Sequence, residues 1–177
     1  AQARERMLEP VEHHWLSDPL VPVAVAAGRL APWKGFACAI EAIGLLNKHQ
    51  PVKLLILGDG PLRNELQELI DRLDLNDSVE LLGYVQNPLK YFANADLFIL
   101  SSLVEGMPNV LVEAMMCGCT PVATDCPTGP RELLKDGEFG YLVPVQDASA
   151  MASGIEKALD NPISRERLEL AIAPFKE

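Results

Sequence analysis

Long apolar runs are missing from this sequence of 177 residues. The longest stretches, such as Val21 to Ala27 with its proline, fall well short of the roughly 20 residues that cross a bilayer, and the charged start carries no signal-peptide core. A membrane-spanning reading is excluded and no export signal is expected. Basic residues are scarce as well: 15 Lys and Arg stand against 25 Asp and Glu, a formal charge of −10 that repels polyanions instead of gathering them. No nucleic-acid partner is expected. The four cysteines, Cys38, Cys117, Cys119 and Cys126, match no zinc knuckle or redox pair, and His13, His14 and His49 add no metal pattern beside them. Buried, reduced thiols in a cytosolic protein are the expectation. The chain also lacks repeats, low-complexity segments and any Asp-x-Asp triplet of the kind that holds magnesium or manganese on a diphosphate.

What is present is an ordinary globular composition, with 49% apolar and 23% charged residues and a mean hydropathy of +0.10. The length suits one domain with a single sizeable core. The polar, charged stretch from Ala1 to about Asp18 reads as the tail of something upstream. Residues 1–20 are therefore expected to be a linker or partial element from a missing N-terminal domain, and residues 21–177 the domain proper. From Val21 onward short apolar runs alternate with longer amphipathic ones, the rhythm of βα units around a parallel sheet. Strands are predicted at Pro22 to Ala27, Val52 to Leu57, Val79 to Leu82, Leu97 to Leu100, Pro121 to Thr124 and Tyr141 to Val143. Helices are predicted at Phe36 to Lys48, Pro61 to Leu73, Pro88 to Ala93, Pro108 to Cys117, Ala148 to Leu159 and Ser164 to Ala173. Almost every strand runs into a Gly, Ser or Asp, so these residues gather at the carboxyl edge of the sheet, where open α/β folds bind ligands.

Four strand-to-helix loops carry the candidate chemistry. In Gly28-Arg29-Leu30-Ala31-Pro32-Trp33-Lys34-Gly35 two cations flank a glycine-bounded turn, which taken alone reads more readily as a solvated surface loop than as a diphosphate site. Gly58-Asp59-Gly60-Pro61 is no dinucleotide fingerprint, since Arg63 stands where a third glycine belongs. From Gly106 to Thr124 the only residue expected to carry a charge is Glu113, in a helix whose other faces are apolar. A carboxylate in such company needs a partner. With a helix starting at Pro108, Glu113 lies one turn beyond Asn109, and Glu105 stands just before the helix, so both carboxylates are expected at one helix end. In the loop Thr124 to Glu132, Arg131 is placed either to face a phosphate or to pair with Glu132 or Asp136.

In order along residues 21 to 160, these pieces resemble the C-terminal, nucleotide-sugar-binding half of a retaining glycosyltransferase of family four. They are Gly28-Arg29-Leu30 with Lys34-Gly35, Gly58-Asp59-Gly60-Pro61, Gly83-Tyr84-Val85, Glu105 and Glu113 as the ends of a Glu-x7-Glu motif, and Gly129-Pro130-Arg131-Glu132. The resemblance implies one half of a two-domain GT-B fold: a Rossmann-like open parallel sheet of about six strands with helices on both faces. It implies that Arg29 and Lys34 neutralise the departing diphosphate and that Glu113 takes the two ribose hydroxyls. Glu105, with backbone N–H groups from Gly106, Met107, Pro108, Asn109 and Val110 (the proline excepted), would hold the donor sugar, and Tyr84 and Val85 would border the base. Gly28, Gly58 and Gly60 would complete the donor site, with no metal cofactor.

Glu105-Gly106-Met107-Pro108-Asn109 departs from the commoner Gly-Phe-Gly version and resembles members that build bacterial surface glycans from uridine-diphosphate sugars. The implied partners are a nucleotide-sugar donor and, through the missing N-terminal domain, a glycan or lipid-linked acceptor. A cytoplasmic protein is implied, with the full-length enzyme peripheral to the inner membrane face and this piece alone inactive. The competing reading is a non-catalytic nucleotide- or phosphate-binding Rossmann-like module using the same loops.

Overall fold

The computed structural model describes residues 1–17 and 20–175. Residues 18 and 19 of the expected 1–20 linker, and 176 and 177 of the expected 21–177 domain, lie outside the described residues. In chain order the elements are α1 (Gln2–Met7), β1 (Val23–Ala27), α2 (Phe36–Leu46), β2 (Lys53–Leu57), α3 (Arg63–Arg72), β3 (Val79–Gly83), α4 (Leu89–Phe92), β4 (Leu97–Leu100), α5 (Asn109–Met116), β5 (Thr120–Thr124), α6 (Pro130–Leu133), β6 (Tyr141–Val143), α7 (Ala148–Asp160) and α8 (Arg165–Ile172). A single 3-10 turn, Pro32–Lys34, precedes α2.

All six strands are parallel, in the order β3-β2-β1-β4-β5-β6. β1 is central and entirely buried, which is why Val-Ala-Val-Ala-Ala shows no alternation of polar residues. Its side chains divide between two cores. Ala24 and Ala26 face the layer of α2, α3 and α7, with Ile40, Ile43, Ile70 and Ile155. Val23, Val25 and Ala27 face the layer of α4, α5, α6 and α8, with Phe92, Phe98, Leu111 and Leu168. Phe92 and Phe98 meet edge-on at 5.3 Å between ring centres.

Six strands stand where the sequence pattern places them, and three helix boundaries shift for identifiable reasons. Helix α3 starts at Arg63 and not at Pro61, because the Leu62 N–H is held outside the helix by the Leu30 carbonyl at 2.9 Å. Pro108 precedes α5 instead of opening it, with a non-helical ψ of 77° and its carbonyl accepting from the Leu111 N–H at 2.9 Å. Helix α2 stops at Leu46, two residues before Lys48. Beyond it the Asn47 side chain ties the turn down, donating to Ser78 Oγ at 2.6 Å and accepting from the Val52 N–H at 3.3 Å. The segment before β1 is not extended throughout: it contains α1, buries Trp15, and joins His13 Nε2 to Glu80 of β3 at 3.1 Å.

The strand order reverses between β1 and β4, and the loops leaving those strands approach at close range there. Leu103 N–H donates to the Trp33 carbonyl at 2.8 Å, and Ser101 Oγ donates to the Lys34 carbonyl at 2.9 Å. Gly35, at φ 65°, sits so close that an added Cβ would lie 2.1 Å from the Ser101 carbonyl oxygen. Both the left-handed backbone and the backbone contact exclude a side chain. Gly35→Ala should therefore cost about 2 kcal/mol or more and lower the melting temperature by about 4–8 °C in a calorimetric scan.

Candidate functional site

The first wall of the site is three strand ends stacked by backbone. Gly28 N–H donates to the Leu57 carbonyl at 2.9 Å, and Gly58 N–H to the Gly83 carbonyl at 2.8 Å. A Cβ on Gly58 would meet the Gly28 carbonyl oxygen at 1.9 Å, and one on Gly60 would meet Leu30 backbone at 2.7 Å. These glycines serve loop packing, with Asp59 closing its own turn by accepting the Gly60 N–H at 2.8 Å. Together the loops form an open cleft of about 290 Å³ lined by Gly28, Arg29, Gly58, Asp59, Tyr84 and Val85. Arg29 is exposed and makes no ion pair or hydrogen bond through its side chain among the described residues. Tyr84 is 80% exposed at the rim.

The second wall is the loop between β4 and α5. Glu105 turns back across the reversal point: its Oε2 accepts from Lys34 Nζ at 3.1 Å and from Ser102 Oγ at 2.6 Å. The Lys34 and Glu105 side chains are only 16% and 13% exposed, so the pair is shielded from bulk water. The Lys34 stem in turn covers Gly28, where an added Cβ would lie 3.2 Å from Cε. The loop is tethered from β5 by Thr124 Oγ1 donating to the Ser102 carbonyl at 2.6 Å, and by Thr128 Oγ1 donating to the Glu105 carbonyl at 2.7 Å. Gly129 packs on Gly106 and Pro108. Ser102, Thr124 and Thr128 are the supporting residues that sequence reading left without roles. Their signal was only a hydroxyl at or just past a strand end.

The two carboxylates expected at one helix end do not share a contact. Glu105 serves Lys34, whereas Glu113, on the first turns of α5, lines a separate cavity of about 530 Å³ with Met107, Asn109, Val112, Pro174 and Phe175. The Val110 side chain packs against the apolar layer, which leaves the expectation for its backbone N–H as it stood. The Glu113 side chain has no hydrogen-bond partner or ion pair among the described residues, so the partner that its apolar surroundings call for is not supplied by them. Burial raises its pKa above the ordinary 4.5, and the positive charge of Arg6 offsets this only in part. Arg131, left between two roles by the sequence, pairs with Asp125 at 2.5 Å and Asp136 at 2.9 Å. Asp125 replaces the expected Glu132 because it sits at the strand end facing the Arg131 fork. The four cysteines are buried and unpaired. Burial pushes the Cys38 and Cys117 thiols up to about 11 and Cys119 higher still, so none is a thiolate at neutral pH.

The raised pKa of Glu113 gives a signed prediction. Its ionisation is harder in the folded chain than in the unfolded one, so it opposes folding at pH values above its folded pKa and does not below its unfolded value. Glu113→Gln should therefore raise the melting temperature at pH 7, and the gain should disappear as the pH falls below 4. Paired thermal melts across that range read it directly.

Comparison with known proteins fits this geometry. A family model described as "Glycosyl transferases group 1" matches residues 15–172. A Campylobacter jejuni N-acetylgalactosamine-N,N'-diacetylbacillosaminyl-diphospho-undecaprenol 4-alpha-N-acetylgalactosaminyltransferase is 42% identical over 137 residues, 77% of this chain and 37% of that protein. An alpha-D-kanosaminyltransferase of Streptomyces kanamyceticus is 32% identical over 99% of this chain and 45% of its own length. Among solved structures, Anabaena HepE in complex with UDP superposes with a TM-score of 0.82 at 27% identity, over 92% of this chain and 47% of that one. The chain thus spans less than half the length of each of these relatives. By its sequence and its open six-stranded sheet, it belongs to the group 1 glycosyltransferase family.

Proposed function

We propose that this chain is the donor-binding, C-terminal domain of a retaining glycosyltransferase that moves a sugar from a UDP-sugar to a glycan or lipid-linked acceptor. The observation that carries the proposal is the arrangement at the strand-order reversal: Lys34 held by Glu105 beside the Gly28 and Gly58 loops, with Arg29 lining the same cleft. Support for the nucleotide comes from HepE, solved with UDP and with UDP-glucose. Support for a lipid-linked acceptor comes from the diphospho-undecaprenol named for the Campylobacter relative.

On this reading each group has a defined task. An ammonium has three N–H donors, so Lys34 keeps its bond to Glu105 while presenting a donor to the β-phosphate. Arg29 adds a second cation, and the two stabilise the negative charge that grows on the diphosphate as the glycosidic bond breaks. Both hydrogen bonds to Glu105 fall on Oε2, which leaves Oε1 for a sugar hydroxyl. Glu113 offers two acceptors to the vicinal ribose diol, and binding there supplies the partner it lacks. Tyr84 and Val85 border the base. The charge comes from protein cations, with no divalent metal. Retention is assigned to attack on the face that the leaving group quits, so Glu105 is given no nucleophilic role. A cytoplasmic site of action, at the inner membrane face for a lipid-linked acceptor, follows from where UDP-sugars and such acceptors meet.

Two outcomes are expected. In calorimetric titration UDP binds this chain equally well with and without chelator. Glu113→Gln weakens that binding by about 1–3 kcal/mol while a 2′,3′-dideoxy analogue binds both forms alike. Loss of binding on chelation would count against the cation assignment. In a paired assay with labelled UDP-sugar and acceptor, the full-length protein turns over and this chain alone does not, because the acceptor is not held in attack geometry, a term worth roughly 7–11 kcal/mol. Turnover by the chain alone near the full-length rate would place the reacting centre elsewhere.

A further inference from the structure

The loop between β5 and α6 is bent against the preference of its own residues. Thr128 has φ 57°, in the left-handed region, and Gly129 follows at φ 89°. Among the described residues five that are not glycine take a positive φ, and Thr128 is the only β-branched one. Two branches on Cβ crowd the backbone there, so a threonine persists in that conformation only when something else holds it. Burial does not, because Thr128 is exposed. What it does make is the hydrogen bond from Oγ1 to the Glu105 carbonyl at 2.7 Å. Asparagine or glycine would take up the turn more easily, but neither carries a hydroxyl on Cβ. Gly129 serves the same neighbour: a Cβ on it would lie 2.3 Å from the Gly106 carbonyl oxygen.

The bond from Thr128 fixes more than a carbonyl. In a trans peptide the C=O and the N–H that follows it point opposite ways, so a Glu105 carbonyl turned to Thr128 sends the Gly106 N–H away from the β5–α6 loop. At Gly106 itself there is no second hold. Its N–H makes no hydrogen bond among the described residues, and an added Cβ would meet nothing within 4 Å. Without a side chain, Gly106 also does little to resist rotation of the peptide. We propose, resting on the donor-site reading, that Thr128 is a positioning residue: its hydroxyl latches the Glu105–Gly106 peptide so that the Gly106 N–H is offered to the sugar of the donor. The strained turn persists because that bond is made. The nucleotide is held by the Gly28 and Gly58 loops and by Glu113 on that reading, so the latch bears on the sugar and leaves the nucleotide alone.

The test uses this chain, three substitutions, and UDP, UDP-glucose and UDP-N-acetylgalactosamine as calorimetric probes. Thr128→Val keeps the branched shape and loses the hydroxyl, so it should weaken at least one of the two sugar nucleotides about fivefold and UDP by less than about twofold. Thr128→Ser keeps the hydroxyl and should restore the unmodified affinities. Thr128→Gly frees the backbone, so it should melt about 2–4 °C above Thr128→Val and yet bind the sugar nucleotides as weakly. A threonine with a structural role alone would not separate stability from affinity in this way. Unchanged sugar-nucleotide affinities in Thr128→Val overturn the proposal, as does a loss that falls equally on UDP. So does a Thr128→Ser that fails to restore affinity, or a Thr128→Gly that melts no higher than Thr128→Val or regains affinity. If UDP binds the unmodified chain in a manner sensitive to Glu113→Gln in any of those cases, only this inference falls. If UDP does not bind at all, the donor-site reading falls with it.

Discussion

The site depends on one constraint: the backbones leaving β1 and β4 must touch at the point where the strand order reverses. Parallel strands that run outward from a central pair leave a crevice between their carboxyl ends, and here the crevice is bridged by main-chain contacts from Leu103 to Trp33 and from Ser101 to Lys34. Glycine at position 35 is what permits this approach. Once the two loops are in register, Lys34 from one and Glu105 from the other fall within hydrogen-bond distance. The ion pair is thus a product of the backbone contact. Thr124 and Thr128 then fix the far side of the Glu105 loop, so the carboxylate is aimed before any ligand arrives.

The charged groups of the chain divide into those satisfied by the fold and those left waiting. Arg131 is paired with Asp125 and Asp136, and Asp71 is held below the usual carboxylate range by Asn76 and Gln67. Among the described residues the side chains of Arg29 and Glu113 have no such partner. A half-buried carboxylate with a raised pKa opposes folding at the pH values where it is ionised.

Much of the architecture was legible in the residues themselves. Val-Ala-Val-Ala-Ala and Lys-Leu-Leu-Ile-Leu are too short and too apolar for anything but central strands, and Leu66 and Ile70 mark the buried face of α3 by their helical spacing. Glu113 stood out because charge is rare in its neighbourhood, Lys34 as one of two cations in a glycine-bounded loop, and Glu105 by its place just before a helix. The short helix α1 was not visible, since six residues with no buried side chain carry no amphipathic pattern. Its place is set by contacts from Asn87 and Gln86, more than seventy positions away.

The sequence by itself determined the order of strands and helices, the loops at which chemistry gathers and the family to which the chain belongs, because periodicity and local motifs are properties of neighbours along the chain. Only the tertiary structure decided which carboxylate meets Lys34, that the Glu113 side chain finds no partner among the described residues, and that Arg131 turns to Asp125. Each of these is a distance between residues far apart in sequence, fixed by the packing of loops on loops at the sheet edge, and no local pattern encodes such a distance.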